Sequence, residues 1–195
     1  MMNIMENEIA FIIGNGTSRN PIDLYSLVDK GAIFGCNALY RSFNNWDYLV
    51  AIDDGMIDEI SRINFENGEV IIPSVDERYE SAEYSKNRRR SNAGMNAMLE
   101  SIRRGAKILY CLGFDFILDG DISVDNIYKN SDNYGPETHA NISDNYYRIK
   151  YLEWFASVNP EVKFVFVIPD DGKTKPIEGK NIIGMPISSF IKKVG

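Results

Sequence analysis

The chain has 195 residues, of which 44% are hydrophobic, enough for one domain with a well-formed core. Its formal net charge of −7 disfavours stable nucleic-acid binding, which needs a basic surface to neutralise phosphate. No apolar run approaches the ~20 residues of a membrane span, and residues 1–8 are polar without a basic leader, so neither a span nor a secretory signal is expected.

The run Ile9-Ala10-Phe11-Ile12-Ile13 is rich in β-branched residues and breaks into Gly14-Asn15-Gly16-Thr17-Ser18-Arg19. This predicts a buried strand entering a tight turn. Gly14 and Gly16 lack Cβ and let another group approach the backbone. Asn15 and Ser18 add short polar side chains, and the turn is a candidate nucleotide site. The motif is neither G-x-G-x-x-G, since Arg19 stands at the third glycine, nor a P-loop. A plain structural turn is the competing reading.

A helix follows over 22–28, with Asn20 as N-cap and Pro21 at its first position. Strands are expected over 31–36 and 47–52, ending in Asn37 and Asp53. Three successive strands thus end at Asn15, Asn37 and Asp53, where an open parallel sheet places its ligand crevice. Asn and Asp also favour turns and caps, which accounts for them without a ligand. Cys36 and Cys111 lie in apolar strand-like runs and read as buried thiols of a reducing, cytoplasmic compartment. No spacing of Cys or His suggests a structural zinc site.

A helix over 55–64 and a strand over 70–73 come next. The segment 74–90 is polar and carries Arg78, Lys86, Arg88, Arg89 and Arg90. It reads as a solvated loop or lid, or as an arginine cluster for phosphate or carboxylate. Asn92 and Gly94 open a helix over 95–104 that Gly105 ends. Residues 107–112 form a central strand running into Gly113-Phe114-Asp115-Phe116. Residues 117–145 form a long irregular loop with Tyr128, Tyr134 and His139. A helix over 146–157, strands over 162–169 and 182–185, and a helix over 186–193 complete the chain. The alternation predicts a single Rossmann-like α/β domain over 1–195, with a mostly parallel sheet and helices on both faces.

In order, the elements Gly14-Asn15-Gly16-Thr17-Ser18, Cys36-Asn37, Asp53, Asn92-Ala93-Gly94, 110–116 and His139 resemble the bacterial sialyltransferases of glycosyltransferase family 42. They also resemble Rossmann-like proteins of the MptE/DUF115 type. The resemblance implies a transferase that moves a sugar from a CMP-activated donor to an acceptor hydroxyl, without a metal or other cofactor. It implies donor binding by Gly14, Asn15, Gly16, Ser18, Asn37 and Asp53, with Asn92, Gly94 and Asp115 beside them. Tyr128 and Tyr134 match in spacing the tyrosines that meet the departing phosphate, and His139, the sole histidine, would be the general base. An imidazole with a pKa near ~6.5 suits that role at neutral pH.

Where the family carries Thr-Ser-Gly, this chain has Asn92-Ala93-Gly94, so a donor-side hydroxyl is missing. The chain is also shorter than typical members. The expected partners are a nucleotide-sugar donor and an unassigned acceptor, and the resemblance admits a homo-oligomer. Two other functions fit the motifs: a pyrophosphokinase of the MptE/DUF115 type, needing Mg²⁺ near Asp53, Asp54 and Asp115, and a non-catalytic nucleotide-sequestering protein.

Overall fold

The structure, a computed structural model, describes residues 8–74, 91–120, 126–135 and 142–195. Seven strands form one sheet: β1 (Ile9–Ile13), β2 (Ala32–Cys36), β3 (Tyr48–Val50), β4 (Glu69–Ile71), β5 (Ile108–Leu112), β6 (Lys163–Ile168) and β7 (Ile182–Pro186). Their order is β4-β3-β2-β1-β5-β6-β7, and every pairing is parallel. The expected Rossmann-like sheet is therefore present and is parallel throughout. Strand order reverses between β1 and β5, the switch point where such sheets open a crevice.

Alternation of side chains across the pleat explains the two cores. Ala10 and Ile12 of β1 face one way and pack with Phe34, Cys36 and Cys111 under α2 (Ala93–Arg103) and α3 (Ile142–Val158). Met95, Met98, Leu152 and Phe155 are the helical contributions to that layer. Phe11 and Ile13 face the other way, against Leu24, Leu27, Met56 of α1 (Asp54–Ile60) and Phe190 of α4 (Ile187–Val194). Each fully buried Phe, Leu or Ile in these layers contributes about 1.5–3 kcal/mol.

The helix expected over 22–28 does not form. A short 3-10 turn, Leu24–Leu27, stands there, preceded by another at Thr17–Arg19, and Asp23, not Asn20, caps Leu24–Leu27 by accepting from the Tyr25 N–H at 3.0 Å. The stretch is too short to repay helix nucleation, and Asp29 turns it off with φ 65°. No α-helix N-terminus therefore follows the glycine turn directly. The helix expected over 146–157 is longer, Ile142–Val158, and shortens the irregular segment before it. Residues 75–90, most of the expected lid, lie outside the described residues, as do 121–125 and 136–141.

Candidate functional site at the carboxyl ends of β1, β2 and β3

The three strand-end residues are joined in series. The Asn15 side-chain amide donates to the Cys36 carbonyl at 3.1 Å, tying the end of β1 to the end of β2. The Asn37 amide donates to the Asp53 carboxylate at 2.7 Å, tying β2 to β3. Asn37 holds a left-handed backbone, φ 48°, which Asn tolerates better than most residues. Carbonyl and carboxylate oxygens only accept, so both amide NH₂ groups face them and both amide oxygens face away. Those oxygens, Asn15 Oδ1 and Asn37 Oδ1, are buried and make no hydrogen bond of ordinary geometry among the described residues.

A turn over 126–135 lies across this row. It docks on the glycine turn through an isolated bridge between Gly16 and Asn126, and the Ile127 N–H donates to the Asn15 carbonyl at 2.9 Å. The turn carries both tyrosines, with ring centroids 6.0 Å apart, and they differ in what their hydroxyls meet. The Tyr128 hydroxyl shares a 2.6 Å hydrogen bond with Ser42 Oγ and accepts from Arg19 Nη2 at 3.3 Å. The Tyr134 hydroxyl is enclosed and makes no hydrogen bond of ordinary geometry among the described residues. It lies within reach of the Asn37 and Asn15 side chains and the Ala38 backbone. Burial first, then the Asp53 carboxylate, pushes its phenol up to about 12, with the two asparagines opposing. The group therefore stays protonated at neutral pH and can donate.

Gly14, Gly16, Ser18 and Asp115 form the seam between β1 and β5. The Gly14 N–H donates to the Leu112 carbonyl at 2.8 Å and the Gly16 N–H to the Gly113 carbonyl at 3.0 Å. A Cβ on Gly14 would stand 2.6 Å from the Gly113 carbonyl oxygen, and one on Gly16 2.4 Å from the Asp115 carboxylate. These glycines permit the two strand exits to touch. The Ser18 N–H donates to Asp115 Oδ2 at 3.1 Å, and the Ser18 hydroxyl makes a short hydrogen bond to Oδ1. The backbone N–H groups of Gly14, Gly16 and Ser18 are thus engaged within the protein.

Asn92 and Gly94 sit at the start of α2. The Asn92 side chain caps the helix by accepting from the Met95 N–H at 3.0 Å, and Gly94 makes room for the Phe114 ring. His139 lies outside the described residues. Among the described residues no group of three or more His, Cys, Asp or Glu is placed to hold a metal.

Two arginines were not expected at the site. Arg19 is buried; its Nε donates to the Gly14 carbonyl at 2.8 Å, and burial lowers its pKa. Arg41 sits on the 3-10 turn Asn37–Arg41 and reaches the 126–135 turn. In the sequence Arg19 marks only a missing third glycine. Nothing in the local pattern around Arg41 signals a partner ninety residues away.

An open, all-parallel, doubly wound α/β sheet with strand order β4-β3-β2-β1-β5-β6-β7 defines a domain of the Rossmann-like class. Comparison with solved structures places its fold beside sialyltransferases. The monofunctional alpha-2,3-sialyltransferase Cst-I from Campylobacter jejuni matches over 100% of this chain and 96% of its own, at 16% identity and TM-score 0.59. An alpha-2,3-sialyltransferase from Campylobacter jejuni in apo form matches over 91% and 83%, at 16% identity and TM-score 0.55. A variant of the sialyltransferase CST-II in complex with CMP matches over 94% and 97%, at 15% identity and TM-score 0.52. At these identities the likeness is one of fold. No family model and no curated protein matches the chain.

Proposed function

We propose that this chain is a sialyltransferase-like glycosyltransferase that transfers a sugar from a CMP-activated donor to an acceptor hydroxyl. The observation that carries the reading is a cluster of three buried polar atoms, Asn15 Oδ1, Asn37 Oδ1 and Tyr134 Oη, beside the carboxyl ends of β1 and β2, none of which makes a hydrogen bond of ordinary geometry among the described residues. Leaving such atoms unpaired costs about 1–3 kcal/mol each, which a ligand with matching groups recovers. The two amide oxygens accept, so they suit the hydroxyl and amino groups of a nucleoside. The protonated Tyr134 phenol donates, so it suits an oxygen of the departing cytidylate. Fold likeness to a sialyltransferase complexed with CMP supports the same assignment.

In this reading the seam of Gly14, Gly16, Ser18 and Asp115 fixes the floor of the crevice. Tyr128, its hydroxyl engaged by Ser42 and Arg19, anchors the turn that presents Tyr134. Asn92 and Gly94 would border the donor from α2. His139 would take the acceptor proton as general base, and the acceptor oxygen would attack the anomeric carbon as the bond to cytidylate breaks. The reading assigns no resident metal.

The test is release of CMP from CMP-sialic acid by the full chain, with and without EDTA, beside His139→Ala. The expected result is EDTA-resistant release, lowered by ~10²-fold or more in the variant at near-normal CMP affinity. Unchanged turnover in His139→Ala removes the base assignment. Absence of CMP binding, or an obligatory need for ATP and Mg²⁺, overturns the transferase reading.

A further inference from the structure

The turn that presents Tyr134 is held from below by one guanidinium. Arg41 Nη1 donates to Ser131 Oγ at 2.8 Å, and Nη2 donates to the Asp132 carbonyl at 3.0 Å. Its charge centre also lies 5.9 Å from the centroid of the Tyr134 ring. Arg41 is fixed in turn by Glu59 on α1, through Nε at 2.9 Å and Nη2 at 2.6 Å to Oε1. The Asn133 side chain donates to Glu59 Oε2 at 2.7 Å, and the Tyr40 hydroxyl makes a short hydrogen bond to Oε1. Gly55 leaves the space into which Asn133 fits, since a Cβ there would lie 2.3 Å from its Oδ1.

A half-buried guanidinium with a planar fork can hold a carboxylate and a backbone carbonyl at once, whereas an ammonium is a point charge. Exposed ion pairs ordinarily contribute little to stability. This one joins three separate pieces of chain: the turn after β2, α1 and the 126–135 turn.

We propose that Arg41 is a positioning residue that acts through Tyr134. Braced by Glu59, it holds the 126–135 turn so that the Tyr134 hydroxyl stands over Asn15 and Asn37. The inference rests on the reading that a CMP moiety binds there.

The test is a double-mutant cycle on CMP affinity, measured by calorimetry with Arg41→Lys, Arg41→Gln, Tyr134→Phe and the two combinations. Arg41→Lys retains the charge and is the milder variant should Arg41→Gln fold poorly; Asn133→Ala, at an exposed position, loosens the same turn from Glu59. The expected result is CMP affinity lower by roughly fivefold or more in both Arg41 variants. Lysine gives no rescue, and the loss vanishes when Tyr134 is already Phe. Asn133→Ala shows a smaller loss in the same direction. Wild-type affinity in the Arg41 variants, or an equal loss with and without the Tyr134 hydroxyl, overturns the inference while leaving the CMP reading intact. A wild-type chain that does not bind CMP overturns the reading beneath it.

Discussion

The two tyrosines six positions apart in one turn have opposite relations to stability. The Tyr128 hydroxyl shares a hydrogen bond with Ser42 and accepts one from Arg19, so Tyr128→Phe is expected to destabilise the fold by about 1–2 kcal/mol in urea unfolding. The Tyr134 hydroxyl makes no hydrogen bond of ordinary geometry among the described residues, so Tyr134→Phe is expected to leave stability within about 1 kcal/mol of wild type, or above it. CMP affinity should move the other way, falling roughly tenfold in Tyr134→Phe. Loss of stability in Tyr134→Phe without loss of affinity would contradict the assignment.

The buried thiols and the same phenol also set the alkaline limit. Burial pushes Cys36 up to about 12, Cys111 well above its usual range, and Tyr134 up to about 12. Each native pKa lies above its unfolded value, so the unfolded chain releases these protons first. Their contribution is complete below pH ~8.5 and is lost as pH rises from about 9 toward 12. Urea midpoints should fall steadily across that range. A thiol reagent at pH 8 should leave both cysteines unmodified until the chain unfolds.

The glycine turn is a packing device between elements. Gly14→Ala puts a methyl group 2.6 Å from the Gly113 carbonyl oxygen, and backbone on both sides must shift. The expected cost is about 1–3 kcal/mol, together with weakened CMP binding as the β1–β5 seam opens. Gly135→Ala is the matched comparison, with nothing within 4 Å of the added Cβ, and should stay within about 0.5 kcal/mol. An unperturbed melting curve for Gly14→Ala would show that the strand exits do not touch.

Strand identities and the two-faced sheet were legible because apolar runs such as 9–13 and 107–112 persist through tertiary packing. The polar strand ends at Asn15, Asn37 and Asp53 were legible for the same reason. The helix over 22–28 was misread because Pro21 and the apolar spacing suggested a turn of helix that Asp23 and Asp29 break. The engagement of Gly14, Gly16 and Ser18 by β5 was not legible, since it depends on which strand pairs with β1. Arg41 was hidden for a related reason: its partners Glu59, Ser131 and Asp132 meet it only after the sheet and the 126–135 turn are in place.

At the scale of the molecule, the sheet order sets the polar ends of β1, β2 and β3 side by side. Strand order reverses between β1 and β5, the ends of β2 and β3 extend the polar row, and the 126–135 turn docks on the glycine turn beside it. Hydrogen–deuterium exchange of the full chain with and without CMP tests this placement most directly. The account predicts added protection confined to residues 13–18, 36–41 and 126–135. Protection centred on α4 and β7, or none at saturating CMP, would contradict it.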